Sequence, residues 1–419
     1  MKNKKPRVLM FGWEFPPRST GGLGTACYGL TKGLLEHGVQ ITLVLPHDVT
    51  APNANMMKII STGSIKVREV KSMITPYMSY EEYDEKARMF KLQRGKKNLA
   101  HKIRIAKSPS SQMYGKNLLE EVNRYAEIAA DIARNEDFDV IHCHDWMTFM
   151  AGIKAKEATK KPLVVHVHST EFDRTGGHGV NQQVYDVEKY GMQYAAYVIA
   201  VSNFTKGMIS EHYGIQSEKI FVVHNAVDNE SRQEEYSAPE LKKSKKIVLF
   251  LGRITLQKGP DYFIQAAKKA LEFMPDLMFV IAGNGDMQRF VIEKAAELGI
   301  ADKIIFTGFV SGQDVDRIYK MADVYIMPSV SEPFGITALE AMKNGIPTII
   351  SKQSGVSEVI GHCLKVDFWD INQLANKMVC ALKYNELKEC LGENGYNEAR
   401  KFSWYVPAKK CLDVYEKII

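Results

Sequence analysis

The chain has 419 residues, of which 45% are hydrophobic and 25% charged; at roughly 150 residues per domain that is room for two or three domains of ordinary globular composition, which excludes a small binding module, a disordered chain and a collagen-like one. No run approaches the roughly 18 uncharged apolar residues of a membrane span, and Met1 to Arg7 leads into the short strand-like Val8-Leu9-Met10-Phe11 rather than a leader's apolar core, so a soluble cytoplasmic protein is expected. The net charge of +6 is local: ten Lys/Arg and no acid fall between Lys86 and Leu119, so the rest of the chain is slightly acidic and gives no case for nucleic-acid binding.

In chain order, the first 50 residues read as one βαβ unit: strand Val8 to Phe11, a glycine-rich loop from Ser19 to Gly24, helical spacing through Leu30, Leu34 and Leu35, Gly38, and strand Ile41 to Leu45. Residues 50–115 are irregular and read as an insertion. A helix from Asn117 to Arg134 follows, then strands Val140 to His144 and Leu163 to His168, a helix near Val184 to Gln193, and strands Val198 to Val201 and Ile220 to Val223. The polar stretch 229–246 reads as a linker. Beyond it a second series starts afresh, with strands Ile247 to Leu251, Met278 to Ala282, Lys303 to Phe306, Val324 to Met327 and Thr348 to Ile350 alternating with helices at 260–274, 286–299, 313–322 and 336–344. The expected fold class is therefore α/β: two doubly wound Rossmann-like domains, 1–228 and 247–403, facing a central cleft, with an amphipathic helix at 404–419. Packing of that helix on the second domain alone is as consistent with its Tyr405, Ala408, Leu412 and Tyr415 stripe as a crossing to the first. Six cysteines, at 27, 143, 363, 380, 390 and 411, show no CxxC and read as reduced core thiols.

Three groups of residues carry chemistry. Gly21-Gly22-Leu23-Gly24 lies between the first strand and first helix, where backbone N–H groups can approach a phosphate; Cys27 stands where a dinucleotide fingerprint needs its last glycine, and a packing turn is the plainer alternative. Gly252-Arg253, with Lys258 five residues on, puts two cations at a strand's carboxyl end, where they can stabilise a leaving diphosphate without metal or remain merely solvated. In Ser331-Glu332-Pro333-Phe334-Gly335-Ile336-Thr337-Ala338-Leu339-Glu340, Pro333 keeps Glu332 in a loop while Glu340 lies about a turn inside the next helix, an arrangement suited to sugar and ribose hydroxyls. The Phe334, Gly335 and Ile336 amides at that helix start can bind phosphate.

In this order and spacing, these motifs resemble the retaining GT-B glycosyltransferases, family 4 with the glycogen and starch synthases. The resemblance implies that Arg253 and Lys258 grip the donor diphosphate, Glu332 faces the donor sugar, Glu340 holds the ribose, and Gly21, Gly22, Gly24, Gly252, Phe334, Gly335, Ile336 and Thr337 complete the donor site. Gly283-Asn284-Gly285 is similar to the family's AGxG loop near the nucleotide, or is a plain strand-to-helix turn. His168 resembles the histidine near the primary hydroxyl of the transferred sugar, and residues 404–419 resemble the segment that crosses back to the first domain. His144-Asp145-Trp146 and the opening Gly12-Trp13-Glu14-Phe15-Pro16-Pro17 resemble the glycogen synthases in particular and imply an α-glucan acceptor, although Arg18-Ser19-Thr20 stands where the larger synthases carry a lysine.

His142-Cys143-His144 and His166-Val167-His168 each place two imidazoles on one strand face, as a binuclear metal hydrolase would. No third cluster of ligand spacing appears, so no metal and no cofactor beyond the nucleotide-sugar substrate, UDP-glucose or ADP-glucose, are expected. The ordinary role of His142 and His166 is that of interior histidines with their hydrogen bonds satisfied. The sequence thus points to a glycogen-synthase-like glucosyltransferase, with transfer to a lipid or cell-surface glycan, the metal hydrolase, and a catalytically silent glucan-binding protein as alternatives. The basic segment 86–119 reads as a solvated helix in preference to a glucan-binding arm or a membrane contact.

Overall fold

A computed structural model describes residues 5–16, 21–46, 65–69, 116–228 and 245–419. Seven strands form the first sheet, all parallel, in the order β3-β2-β1-β4-β5-β6-β7. They are β1 (Arg7–Phe11), β2 (Gln40–Leu45), β3 (Ile65–Glu69), β4 (Val140–His144), β5 (Leu163–Val167), β6 (Tyr197–Ala200) and β7 (Ile220–Val222). Six more make the second parallel sheet, β10-β9-β8-β11-β12-β13: β8 (Lys246–Leu251), β9 (Leu277–Ala282), β10 (Ile304–Gly308), β11 (Val324–Met327), β12 (Thr348–Ser351) and β13 (Leu364–Val366). In each sheet the order reverses beside the first strand, β1 or β8, and the crevice opens at the carboxyl ends there. The central strands β4, β5 and β11 are buried along their whole length, as parallel strands covered on both faces must be.

The structure adds elements that periodicity did not reveal. Residues 65–69, inside the expected irregular insertion, form edge strand β3 paired with β2. Helices α1 (Gly22–Glu36), α2 (Lys116–Asn135), α3 (Trp146–Thr159), the single turn α4 (Glu171–Arg174), α5 (Gln182–Tyr194) and α6 (Asn203–Tyr213) complete the first domain. Of these α3 and α6 carry weak apolar stripes, because α3 is enclosed by β4, α2 and α5 and is apolar on most sides. In the second domain α7 (Pro260–Phe273), α8 (Gln288–Glu297), α9 (Gln313–Met321) and α10 (Ile336–Lys343) stand where expected, and α11 (Ile371–Lys383) and α12 (Asn385–Ala399) are additional. Cys27, Cys143, Cys363 and Cys411 are buried thiols, whereas Cys380 is half-buried and Cys390 exposed, so two of the six are not core residues. Of the basic segment 86–119, residues 86–115 lie outside the described residues and residues 116–119 begin α2; residues 229–244 of the linker 229–246 also lie outside them.

The last helix, α13 (Tyr405–Glu416), returns to the first domain and packs along α1. Gly29 and Gly33, four apart on α1, leave the groove it needs: a Cβ on Gly29 would stand 2.1 Å from the Trp404 indole, and one on Gly33 would stand 2.4 Å from the Trp404 carbonyl oxygen. Ala408, Leu412 and Tyr415 are buried in this seam. Tyr405, the fourth residue of the expected stripe, is instead about half exposed, its ring against His37.

The close approach of α1 and Trp404 is testable. Gly29→Ala forces a methyl into the indole and should destabilise the protein by about 1–3 kcal/mol, the usual range for overpacking. In a Trp404→Ala background the same change should cost clearly less. Gly207→Ala, at an exposed site in α6 where the added methyl meets nothing within 4 Å, should stabilise by about 0.4–1 kcal/mol. Urea midpoints of the four variants measure all three effects.

Candidate functional site

The second domain supplies an interlocked pair of loops after β8 and β9. Ile254 donates its N–H to the Asn284 carbonyl at 2.9 Å, and Met287 donates to the Ile254 carbonyl at 3.0 Å. Gly283, at φ +139°, could carry no side chain: a Cβ there would sit 1.9 Å from the Gly252 carbonyl oxygen, and one on Gly285 would sit 2.2 Å from that of Ile254. The Gly283-Asn284-Gly285 turn therefore backs directly onto Gly252-Arg253-Ile254 and sets the path of the arginine-bearing loop. That loop continues into a 3₁₀ turn, Leu256–Lys258, which Gly259 ends in the left-handed conformation at φ +65° before Pro260 opens α7.

Arg253 Nη2 donates to Gln257 Oε1 at 3.3 Å, and Lys258 Nζ lies 2.6 Å from Glu332 Oε2, which also accepts from Ser329 Oγ at 3.1 Å. The second expected cation and the first of the two expected carboxylates thus form an ion pair, while Arg253 bonds to Gln257 on the same turn. Glu332 is almost fully buried, and leaving such a charge without Lys258 is strongly unfavourable. Gly335 precedes α10 at φ +110°, where a Cβ would press on the Met327 and Val356 side chains. Phe334 and Ile336 are buried, so their backbone amides rather than their side chains are what they can offer a ligand. Inside α10, Tyr319 Oη donates to Glu340 Oε2 at 2.9 Å, and Tyr325 Oη donates to Thr337 Oγ1 at 2.8 Å. Burial pushes the Glu340 carboxyl above the ordinary range, with the Tyr319 hydrogen bond opposing.

In the first domain, Gly21 and Gly22 are exposed at the start of α1, with nothing within 4 Å of a Cβ built on either, and Gly24 is buried one turn in. On β4 and β5 the register pairs His144 with His166, so both HxH pairs fall on one face. The four imidazoles pack into a column with ring centroids 4.3–5.4 Å apart. His144 Nδ1 and His168 Nε2 are 2.9 Å apart. Burial keeps all four neutral, His144 pushed down to about 3 and the others well below the ordinary value. Asp145 adopts φ +60°, unusual for a side chain other than glycine, and its Oδ1 accepts from the amides of His168 at 2.7 Å and Ser169 at 3.3 Å. Burial lifts its carboxyl to about 7 against the pull of Arg174 and those amides.

His144, Asp145 and Trp146 are all at most 2% exposed. Their side chains are enclosed, and His144 and Asp145 contact the loop that begins at His168. His142 and His166 are interior, as expected, but only partly satisfied: among the described residues His142 Nε2 and both ring nitrogens of His166 have no hydrogen-bond partner.

The two domains touch across the cleft through residues that spacing alone did not bring forward. Ser331 Oγ donates to Asp173 Oδ1 at 2.5 Å, so the loop that follows His168 meets the loop that carries Glu332. Asp173 is held by a capping box with Thr170, a short-range signal present in Thr170-x-x-Asp173. The Pro333 carbonyl accepts from Ser202 Oγ at 2.6 Å and from Thr205 Oγ1 at 3.2 Å, and Glu358 accepts from the first amides of α6, Asn203 at 3.0 Å and Phe204 at 2.6 Å. Below them the buried guanidinium of Arg174 pairs with Glu171 at 3.0 Å and with Glu188, and Glu188 also accepts from Tyr213. No described helix is long and apolar enough to cross a membrane.

Known proteins share this architecture. Residues 7–222 match the model of the starch synthase catalytic domain, and residues 231–398 match that of the glycosyl transferases group 1. An uncharacterised glycosyltransferase of Methanocaldococcus jannaschii is 30% identical over 426 residues, spanning 98% of this chain and 98% of its own. Glycogen synthase of Mycobacterium tuberculosis is 25% identical over 366 residues, spanning 84% of this chain and 80% of its own. The Anabaena protein HepE, solved with UDP and glucose, superposes with a TM-score of 0.69 at 16% identity over 98% of this chain and 100% of its own, a likeness of fold. The chain therefore belongs to the group 1 glycosyltransferases of GT-B architecture, with a first domain of the starch synthase catalytic type.

Proposed function

We propose that the chain is a retaining, metal-independent glucosyltransferase that moves glucose from UDP-glucose or ADP-glucose to an α-1,4-glucan. The observation that carries this reading is the ion pair of Lys258 with Glu332 in the turn that follows β8 and carries Arg253, with Ser331 of the Glu332 loop bonded to Asp173 of the loop that follows His168. In the reaction the bond from the anomeric carbon to the diphosphate oxygen breaks, the acceptor oxygen takes its place on the same face, and the acceptor's proton leaves with the nucleoside diphosphate. Negative charge grows on the diphosphate as the bond breaks, and the Arg253 fork and the Lys258 ammonium are preorganised to receive it. Glu332 holds Lys258 in place and faces the sugar. His168, kept neutral by burial, offers hydrogen bonds to a sugar hydroxyl. Glu340 accepts from the ribose hydroxyls, and the glycine amides at the start of α1 approach the phosphates.

The glucan acceptor is supported by the starch synthase match of the first domain and by the glycogen synthase relative; the nucleotide-sugar donor is supported by the UDP and glucose that HepE carries in the same fold. Incubation with each labelled donor and glycogen, with and without EDTA, tests the whole reading. Incorporation into glycogen with the α configuration retained, and unaffected by EDTA, is expected. Transfer only to extracted lipid would overturn the glucan acceptor, and hydrolysis of the donor without transfer would overturn the transferase.

Arg253→Ala and Lys258→Ala should each lower kcat by roughly 100-fold or more, as expected of a lost transition-state donor; a change confined to KM would show that the two cations bind ground and transition states alike.

Because the folded Glu340 carboxyl titrates above the ordinary glutamate range, it loses its charge at a higher pH than a free glutamate as acid is added, and with the charge goes one acceptor for the ribose. UDP-glucose affinity should therefore fall on acidification with a midpoint above that range. Glu340→Gln should bind more weakly at neutral pH and show no such midpoint, as read by calorimetric titration across pH.

A further inference from the structure

The histidine column contains more than the transfer reaction uses. We propose that His142, His144 and His166 form a binding site for one zinc-type divalent cation inside the first domain, apart from the diphosphate cations and independent of them. One ring nitrogen from each residue lies within 4.8 Å of the others, and all three side chains are buried. The site is built on two neighbouring parallel strands, with His144 directly opposite His166 in the register.

The polar inventory of the cluster points to a ligand. His142 Nε2, His144 Nε2 and both nitrogens of His166 are buried without a hydrogen-bond partner among the described residues, whereas buried polar atoms are as a rule paired. The outer nitrogens of the first two rings are engaged: His142 Nδ1 lies 2.5 Å from Tyr415 Oη, and His144 Nδ1 lies 2.9 Å from His168 Nε2. If those two Nδ1 atoms carry the protons, both Nε2 atoms are left with a free lone pair, to which no described side chain donates. Metal-bound histidines show this pattern, one nitrogen on the ion and the other fixed by an outer partner. Burial holds the rings in the neutral form that a metal requires. An all-imidazole set suits zinc or copper and does not suit magnesium or calcium.

The three rings lie within 13–28° of parallel, so their lone pairs run side by side. Bonds of about 2.0–2.1 Å to one ion require the rings to splay by rotation about χ2. An ion so held would tie β4 to β5 beneath the His168 loop and, through Tyr415, to the crossing helix. Cys27 offers a rival grouping, its thiol lying with His144 and His168 within the same 4.8 Å limit.

The test uses the full-length protein stripped with chelator and titrated with zinc chloride or cobalt chloride. One equivalent should bind, cobalt should give visible d–d bands, and saturating zinc should raise Tm by roughly 5 °C or more. X-ray absorption of the zinc-loaded wild type needs no variant: a nitrogen shell at about 2.0–2.1 Å without a sulfur shell at about 2.3 Å is expected. His166→Gln and His142→Gln should each weaken zinc binding beyond the roughly 10–100-fold that loss of an outer-shell partner costs, while Cys27→Ser should leave it unchanged. A sulfur shell, or loss of binding in Cys27→Ser, overturns the assignment in favour of the cysteine grouping. Absence of stoichiometric binding, or binding undiminished in both histidine variants, overturns the site altogether.

Discussion

The approach of Trp404 to Gly29 and Gly33 sets the geometry of everything else in this molecule. A chain that has crossed into a second domain has no covalent reason to return. It returns here because two glycines a helical turn apart let α1 accept an indole and a backbone carbonyl at distances that no side chain would allow. The seam then continues through Ala408, Leu412 and Tyr415, all fully buried. It returns the end of the chain to the first domain, so the two domains are joined through this seam as well as through the polar contacts of the cleft. The polar contacts across the cleft, Ser331 with Asp173 and Pro333 with Ser202 and Thr205, work within that restraint. Made through single hydroxyls, they are the kind of contact that can break and re-form as domains move, whereas the apolar seam cannot.

The two halves of the site are built by opposite means. In the second domain the backbone is tight and the functional groups are charged: glycines without room for a Cβ bring the 252–254 and 283–285 loops together, and Lys258 and Glu332 neutralise one another where neither is well solvated. In the first domain the groups are neutral. Burial has removed the charge from the imidazole column and pushes Asp145 towards protonation. A nucleoside diphosphate brings its own negative charge and calls for cations, while a sugar brings hydroxyls, which a carboxylate can accept from and a neutral imidazole can bond to.

Most of the second domain could be read from sequence, because its strands are short apolar runs separated by clear helical periods and its motifs sit at turns where residue type is dictated by backbone geometry. Gly335 before α10 and Pro333 after Glu332 are examples: each forces a conformation, and the neighbouring carboxylates are placed by it. The crossing of α13 was legible through the family resemblance and not through its own stripe, which is equally consistent with either domain. What could not be read depends on contacts far apart in sequence. Helix α3 shows no clear stripe because neighbours cover it on several sides, and Asp173 and Ser331 are 158 residues apart with nothing local to mark them as partners. His144-Asp145-Trp146 was legible as a motif, while its burial was not, since a resemblance carries residue types and not their burial.

The histidine pairs show most plainly what spacing leaves out. An HxH pair fixes only that two rings share a strand face; whether two such pairs form one cluster depends on strand order and register. Here β4 and β5 are neighbours and His144 lies opposite His166, so pairs 24 residues apart converge, and α1 and α13 bring Cys27 and Tyr415 to the same face. A polar column of this kind within the core is costly if unsatisfied, yet it runs from the buried seam of α13 at His142 to the cleft at His168. The elements that fix the domain arrangement and the residue proposed to meet the sugar are therefore linked through one stack of rings. Tyr415 of α13 is thus bonded to one end of the stack of rings whose other end is His168.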